Sequence, residues 1–459
     1  MKLRPVGLRR LAFPLLLSLL LTVSGCVLRI GPLDDTGESA PPSESAPPSV
    51  PPKTSILPTP INAAAYVPPL EEEAQRARWE ESEWYTVNVV YQGGAPVHAF
   101  QLPSGDIVDF VARSTLPGLP YNLSDLLPEL PLSLDSVVLP PGVEFGLTEL
   151  EQVPELAELL ADTVPFLRPT FWPYIWGDAP DATSIEDYLA RYQVGGHEGG
   201  QPSGVDRLYA GLVSPEPNRG ISGLMNQFRP EVATDSFSVL EFAVFCPAEG
   251  TAQEMVGVVI SVDRANGFGV DHYKLPDVDP RLHIEYARPV NGQPRYVWDG
   301  MDATFIANPI RRHHPGQKVP VSVVDGMQVE HLMGIFQSPA GDWWIMYKGD
   351  LLGYYPASLF TMLNKGACAS AWYGEVYNPA PGNAVPTEMG SGRFPEAGKF
   401  KIAYVREPKY YDFLWNQVEP QDLVSMAPYK PLCYGRSPLT GGVLGIGGPG
   451  SFNSSCQWP

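Results

Sequence analysis

Isolated carboxylates among aromatic side chains are the residues of this sequence best suited to chemistry. Glu375 and Glu388 lie in a segment, Gly341 to Phe394, that also carries Trp343, Trp344, Tyr347, Tyr354, Tyr355, Trp372 and Tyr373. Aromatic rings give contact area in a binding groove, and carboxyl groups give acid–base chemistry. The same composition fits a β-rich core with a polar residue where a strand ends, so composition leaves both interpretations open.

Histidine, serine and cysteine chemistry find little support in the sequence. The seven histidines include no pair at metal-ligand spacing with an acid nearby, so no metal site is predicted. His313 and His314 stand beside a Pro-Gly pair and are interpreted as part of a solvated turn. There is no Gly-x-Ser-x-Gly motif, and no cysteine has a convincing histidine partner. No cofactor is predicted.

Paired carboxyl groups are the chemistry that remains. Two of them hydrolyse amide or glycosidic bonds when their surroundings separate their pKa values, so that one acts as base and the other as acid. Their separation in space is not given by sequence spacing, so a carbohydrate-active enzyme is an open alternative. The net charge of −20 argues against a nucleic-acid partner, because the phosphate backbone would be repelled.

Several consecutive motifs resemble the neprosin family of glutamic peptidases. In the aromatic segment these are Leu-Gly-Tyr-Tyr-Pro-Ala-Ser-Leu-Phe at 352–360, Trp-Tyr-Gly-Glu-Val at 372–376 and Met-Gly-Ser-Gly-Arg-Phe at 389–394. Upstream, Ser-Gly-Asp-Ile-Val-Asp at 104–109 resembles that family's N-terminal activation domain, and residues 226–245 resemble the start of its catalytic domain. The resemblance covers the chain in order from about residue 95.

The resemblance implies an antiparallel β-sandwich catalytic domain, two glutamates that activate water, and cleavage next to proline. It also implies an N-terminal domain that shields the cleft and is removed in acid, as in a zymogen. Glu375 falls on one catalytic glutamate of the family pattern, although Tyr373 replaces a glycine there. Glu388 replaces a glutamine before the 389–392 motif.

The second catalytic glutamate has no direct match. Met255 stands where the family has the acid, Glu254 is one residue early, and Glu241 occupies the position of a family glutamine. Residues 237–246 and 251–262 are expected to form a hairpin, and its register decides whether Glu254 or Met255 shares the face of Glu241. Our hypothesis is that the acid moved across the hairpin, so that Glu241 pairs with Glu375.

The predicted function is that of a glutamic endopeptidase acting on proline-rich peptide or protein. Trp343, Tyr354, Trp372, Tyr373 and Glu388 are the expected substrate-binding residues, because aromatic-lined grooves bind extended proline-rich ligands. The alternative is a family member that Met255 has left without catalysis, because a thioether is neither acid nor base. Such a protein would bind peptide or polysaccharide at the cell surface.

The elements that must position these residues are mostly strands. From Val205 onward, short apolar alternating runs recur between turn signals, which predicts an antiparallel β-sandwich over 195–459 with one helix at Pro356 to Gly366. Residues 71–194 are predicted to form a small α+β domain, with helices at 71–83 and 147–162 and strands flanking a turn at 103–106. The fold class is therefore mostly β.

The first 70 residues are predicted to be an export signal and a tether. Basic residues precede an apolar run, Leu11 to Val23, that is shorter than a comfortable membrane span, and Val-Ser-Gly-Cys ends it at 23–26. This pattern resembles a bacterial lipoprotein signal, with cleavage after residue 25 and lipid on Cys26. The Pro/Ser-rich stretch to residue 70 is typical of a semi-extended linker. We expect an exported protein, lipid-anchored in the cell envelope.

Four further cysteines permit two disulfides in an oxidising compartment. They are Cys246, Cys368, Cys433 and Cys456, and three connectivities are open. The pair Cys433–Cys456 is favoured, because it would close a Gly/Pro-rich tail with little else to hold it.

Overall fold

The computed structural model describes residues 59–61, 73–119, 134–169, 183–185, 207–234, 236–247, 253–264, 278–290, 293–378, 387–426 and 430–450. The predicted signal and lipid site, including Cys26, lie outside these residues. No helix in the described ranges is long and apolar enough to cross a membrane.

The N-terminal part is a small α+β unit. Its sheet has the order β1 (Thr59–Ile61), β2 (Pro96–Gln101), β3 (Ile107–Ala112), β5 (Thr163–Leu167), and its helices are α1 (Glu73–Tyr85) and α2 (Pro154–Leu159). Buried Val108, Phe110, Leu156 and Leu167 form its core. The predicted first helix and the turn between β2 and β3 are confirmed, whereas the helix expected over 147–162 is limited to α2.

One large antiparallel sheet carries the residues of interest. Its seven strands follow the order β11-β10-β9-β8-β16-β6-β19. Their bounds are β6 (Arg207–Ser214), β8 (Phe237–Pro247), β9 (Gln253–Asp263), β10 (Arg281–Val290), β11 (Gln293–Trp298), β16 (Ala369–Tyr377) and β19 (Val424–Ser425). We call it the front sheet.

A second sheet packs behind the front sheet. Its main path is β12-β15-β14-β13-β7-β17-β21-β20, with β18 on β17 and β4 on β13. Their bounds are β4 (Val143–Glu144), β7 (Gly220–Asn226), β12 (Ile306–Ala307), β13 (Gln328–Gln337), β14 (Trp343–Tyr347), β15 (Asp350–Tyr355), β17 (Ala403–Tyr411), β18 (Gln417–Val418), β20 (Gly435–Arg436) and β21 (Val443–Gly447). One core joins the sheets, with Phe242 and Val258 from the front and Ile335 and Ile345 from the back. The predicted β-sandwich is confirmed.

The N-terminal unit is joined to the sandwich by buried charges. Arg281 donates two hydrogen bonds, of 2.7 and 3.0 Å, to the Asp106 carboxylate, and both side chains are buried. Lys348 Nζ lies 2.7 Å from Glu151. His313 lies 3.0 Å from Asp350 and 3.4 Å from Glu151. The interpretation of His313 and His314 as part of a solvated turn is therefore wrong, because both side chains are buried and two carboxylates contact the ring of His313.

The helix predicted at Pro356 to Gly366 is wrong. The segment forms two 3₁₀ turns, Ala357–Leu359 and Leu363–Lys365. Between them the Glu254 side chain accepts hydrogen bonds from the backbone N–H groups of Thr361, Met362 and Leu363, at 2.7 to 2.8 Å. A carboxylate that satisfies consecutive N–H groups competes with helical i to i−4 bonding. Sequence periodicity does not reveal such a distant partner.

Candidate active site

Strand register brings Glu241 and Glu375 to one face of the front sheet. β16 pairs with β8 so that Tyr373 lies opposite Glu241, and Glu375 lies opposite Val239. Directly opposite residues of an antiparallel pair project from the same face, and their diagonal neighbours are within reach of long side chains. Leu240 and Phe242, which precede and follow Glu241 on β8, point into the core. The two glutamates therefore share the face turned away from the back sheet.

The hairpin of β8 and β9 is confirmed, and its register answers which residue shares the face of Glu241. Phe245 lies opposite Met255, and Cys246 lies opposite Glu254. Since side chains alternate along a strand, Met255 is on the face of Glu241 and Glu254 is on the core side. Glu254 is not part of the site. Its hydrogen bonds to residues 361–363 outweigh burial and lower its pKa.

Glu285 is the acid that sequence reasoning missed. β10 pairs with β9 so that Glu285 lies opposite Gly257, which in turn lies opposite Ala243 of β8. The Glu285 side chain is therefore on the same face as Glu241, in line with Ala243, the next residue of β8 on that face. The sequence does carry a signal, because Glu285 is the only acid in the strand Arg281–Val290, but the alternation of that strand by itself predicts only β-structure.

These carboxyl groups line a cavity of about 160 Å³. Strands β6, β8, β9, β10, β11 and β16 supply most of its wall. The lining residues are Arg207, Tyr209, Phe237, Glu241, Ala243, Phe245, Gln253, Met255, Glu285, Tyr296, Trp298, Tyr373, Glu375 and Met426. The volume suits a side chain or a short piece of an extended ligand.

Burial raises the pKa values of Glu241 and Glu285. For Glu241 the pKa rises to about 7: loss of solvent is the largest cause, and hydrogen bonds from Glu285 and Tyr373 act in the opposite direction. For Glu285 burial and the neighbouring Glu241 both raise the pKa well above its ordinary value. Two adjacent buried carboxyls cannot both ionise at low cost, so a proton stays in this pair at neutral pH.

Glu375 has a different environment, because a cation contacts it. Arg207 Nη1 of β6 lies 2.5 Å from Glu375 Oε1. Burial opposes the charge of Arg207, but the Glu375 carboxylate overcomes this and raises the guanidinium pKa. The cavity therefore contains one carboxyl group paired with a cation and, beside it, two carboxyl groups whose pKa values burial raises.

Three tyrosines complete the wall as neutral hydroxyl donors. Burial raises the pKa of Tyr296 to about 12 and raises those of Tyr209 and Tyr373 well above the usual value. Tyr373 lies opposite Glu241 in the strand register, and its ring lies 5.9 Å from that of Tyr209. Tyr373, expected from the sequence to bind substrate, is therefore in the cavity wall.

The other expected substrate-binding residues lie elsewhere. Trp343 and Trp372 are fully buried between the sheets, where their indole N–H groups donate to the carbonyls of Leu363 and Ser222. Tyr354 packs on Trp344 of the back sheet, and Glu388 accepts a hydrogen bond from the backbone N–H of Glu231. Most of these aromatic side chains therefore lie in the packed interior and not in the cavity wall. This is one of the two interpretations that composition left open.

The described residues include three of the four cysteines that were expected to form disulfides. Cys246 at the end of β8 is bonded to Cys368, which precedes β16, so this disulfide links two strands that flank the site. Cys433 is also disulfide-bonded. Its predicted partner, Cys456, lies outside the described residues, so that pairing stays a prediction.

Comparison with known proteins confirms the family resemblance. Residues 266–449 match the model of the Neprosin family, a range that includes Glu375 and Glu285 and begins after Glu241. Solved structures were also found to be similar. A Scytalido-glutamic peptidase with a peptide-based transition state analog is 7% identical with a TM-score of 0.28, and the match covers 52% of this chain and 98% of that one. SCP-B, a member of the Eqolisin family of peptidases in complex with the tripeptide Ala-Ile-His, is 8% identical with a TM-score of 0.27 and the same coverage.

Proposed function

We propose that this protein, whose residues 266–449 match the Neprosin family, is a glutamic endopeptidase with Glu375 and Glu241 as its carboxyl pair. The observation that carries the proposal is their placement in one cavity with different partners. Glu375 is paired with Arg207, whereas burial raises the pKa of Glu241 to about 7. Different surroundings of two carboxyl groups are what allows one to act as base and the other as acid.

Each carboxyl group has a defined role in this reaction. The Glu375 carboxylate takes a proton from a water molecule, and the water oxygen attacks the peptide carbonyl carbon. Protonated Glu241 donates a hydrogen bond to the carbonyl oxygen, which becomes negative in the tetrahedral intermediate. The amide nitrogen then takes up a proton from the pair, the C–N bond breaks, and an acid and an amine are released. Protons and electrons balance with water as the only co-reactant.

We also propose that the substrate is rich in proline. The rings of Tyr209, Tyr296 and Tyr373 and the indole of Trp298 line the cavity, and flat aromatic faces suit pyrrolidine rings. These residues take the place of Trp343, Tyr354 and Trp372 in the binding hypothesis. The family resemblance supports proline, and the cavity supplies the apolar surface.

The test is cleavage of a proline-rich peptide at acidic pH, followed by mass spectrometry of the products. Glu375→Gln and Glu241→Gln should each reduce kcat by about 100-fold or more, since each removes an acid or base and keeps the shape. Glu396→Gln, at an exposed site in another turn, is the matched control. Full activity in either of the first two variants would refute the carboxyl pair.

A binding protein without catalysis is the second candidate, and Met255 favours it. Its thioether lines the cavity at the family's acid position. This candidate predicts that the peptide binds, as measured by calorimetry, with no cleavage between pH 3 and 8. Cleavage that depends on Glu375 excludes it.

The proposed location is the cell envelope, with lipid on Cys26. It is supported by the signal-like sequence before that residue and the Pro/Ser-rich linker after it. Labelling bacteria with a radioactive fatty acid tests it: the intact chain should take up label and a Cys26→Ala chain should not.

A further inference from the structure

Glu285 is buried in the cavity but has no part in the reaction described above. Glu285 is 2% exposed, as is Glu241, and neither residue contacts a lysine or arginine in a described ion pair. Burying a carboxyl without a cation is costly unless it keeps its proton and finds a hydrogen-bond partner. The strand register places Glu241 beside Glu285 on the same face of the front sheet, where it can be such a partner.

Gly257 creates the space in which the two carboxyl groups meet. It lies on β9, between Glu285 of β10 and the strand that carries Glu241. A Cβ atom at this position would lie 2.8 Å from Glu241 Oε1 and 2.8 Å from Glu285 Oε1, closer than real Cβ contacts. Any residue other than glycine would therefore push the carboxyl groups apart.

Other ionisable groups face this pair from the neighbouring strands. They are Arg207 and Tyr209 of β6, Tyr373 and Glu375 of β16, Tyr296 of β11 and, on β10 itself, His283, which is bonded to Asp299. Arg207 is paired with Glu375, and Tyr373 lies opposite Glu241 in the strand register. Glu241 Oε1 is buried and receives no hydrogen bond from a described donor, and Glu285 Oε1 borders the same gap at Gly257, so a proton on Glu285 would supply the missing bond.

We propose, on the basis of the peptidase function above, that Glu285 is a positioning residue whose protonated carboxyl donates a hydrogen bond to Glu241 through the gap at Gly257 and holds Glu241 toward Glu375. Burial and the adjacent Glu241 raise the pKa of Glu285 well above its usual value, which supports the direction of the bond. Glu285 keeps its proton throughout, so it adds nothing to the proton balance of hydrolysis.

Two substitutions at position 285 separate this role from simple packing. Glu285→Gln keeps an N–H donor toward Glu241 and should leave kcat within about threefold of the wild type. Glu285→Leu removes the donor and should lower kcat by about tenfold or more with little change in KM. It should also move the alkaline limb of kcat/KM upward by about one pH unit, because ionised Glu241 loses a stabilising hydrogen bond.

Gly257→Ala tests the same contact with all carboxyl groups present. The added methyl group should lower kcat in the wild type and have no further effect in the Glu285→Leu background, since the contact is already lost. Independent losses that multiply in the double variant would overturn the proposal. A limb that moves to lower pH in Glu285→Leu, or a Gln variant as impaired as the Leu variant, would also overturn it.

A measurement that needs no substrate tests the role of Glu285 independently of the proposed peptidase function. ¹³C NMR of carboxyl-labelled glutamate, with Glu241→Gln for assignment, follows the titration of Glu241 directly. Its midpoint should rise in Glu285→Leu and in Gly257→Ala but not in the exposed control Glu396→Gln. A wild type that cleaves no peptide refutes the peptidase function, whereas an unchanged Glu241 midpoint refutes the role of Glu285.

Discussion

Glu241 and Glu375 are the same amino acid in the same cavity, and their surroundings give them different states. Glu375 contacts Arg207 at 2.5 Å, while Glu241 is surrounded by a carboxyl group, a tyrosine and apolar strands. Hydrolysis at low pH needs a base beside an acid, and the proposed roles follow from the single cation that contacts Glu375 and not Glu241.

The pH dependence of cleavage follows from Glu241. Burial raises its pKa to about 7, so the acid form is populated below pH 7 and lost above it. We expect kcat/KM to fall about tenfold per pH unit above 7, which initial rates at constant ionic strength would measure. A profile that keeps rising to pH 9 would contradict the assignment of Glu241 as the acid.

At the scale of single elements, the register of the β8–β9 hairpin assigns different tasks to adjacent residues. Met255 lies in the cavity wall, and Glu254 holds the segment of residues 361–363 on the other side of the sheet. A slip of one residue would exchange these positions and put a fourth carboxyl group in the cavity, beside Glu241, Glu285 and Glu375. The register is fixed because one face of both strands packs in the core.

Glu254→Ala should destabilise the fold and leave the chemistry intact. It removes four hydrogen bonds to a carboxylate, from the N–H groups of residues 361–363 and the Thr361 hydroxyl, which corresponds to about 3 kcal/mol. Urea unfolding should show this loss, with no change in the pH profile of the remaining folded enzyme. A shifted profile would mean that Glu254 acts in the site after all.

At the scale of the whole molecule, a strand pair and a buried ion pair hold the N-terminal unit on the sandwich. β4 pairs in parallel with β13, and the Asp106–Arg281 pair is buried between the unit and the sandwich. The family resemblance implies removal of such a unit in acid. Here its release requires the separation of buried ion pairs and of a strand pair.

Asp106→Ala should show how strongly the unit is held. It leaves the Arg281 guanidinium buried without its carboxylate, which costs about 3 to 5 kcal/mol. Asp325→Asn removes the charge of an exposed partner of Lys401, keeps a residue type that tolerates the positive φ of this position, and should cost less than about 1 kcal/mol. Urea unfolding compares the two, and equal effects would show that the buried pair contributes no more than a surface pair.

The sequence by itself determined the local and ordered features. Turn signals and alternating strands predicted the β-sandwich, and motif order predicted the family. The motif around Glu375 predicted a catalytic role for it, which stays a prediction. These features depend on neighbouring residues or on fixed spacing along the chain, so they can be read without tertiary structure.

Only the tertiary structure decided which distant residues meet. Glu285, Arg207 and Gly257 enter the site because five strands come side by side in an order the sequence does not state. Trp343 and Trp372 proved to be core residues for the same reason, since facing a cleft or a second sheet depends on register and on what packs opposite. The identity of a side chain is read directly from the sequence. Its neighbours, and therefore its chemistry, are set by the pairing of strands that are far apart in the chain.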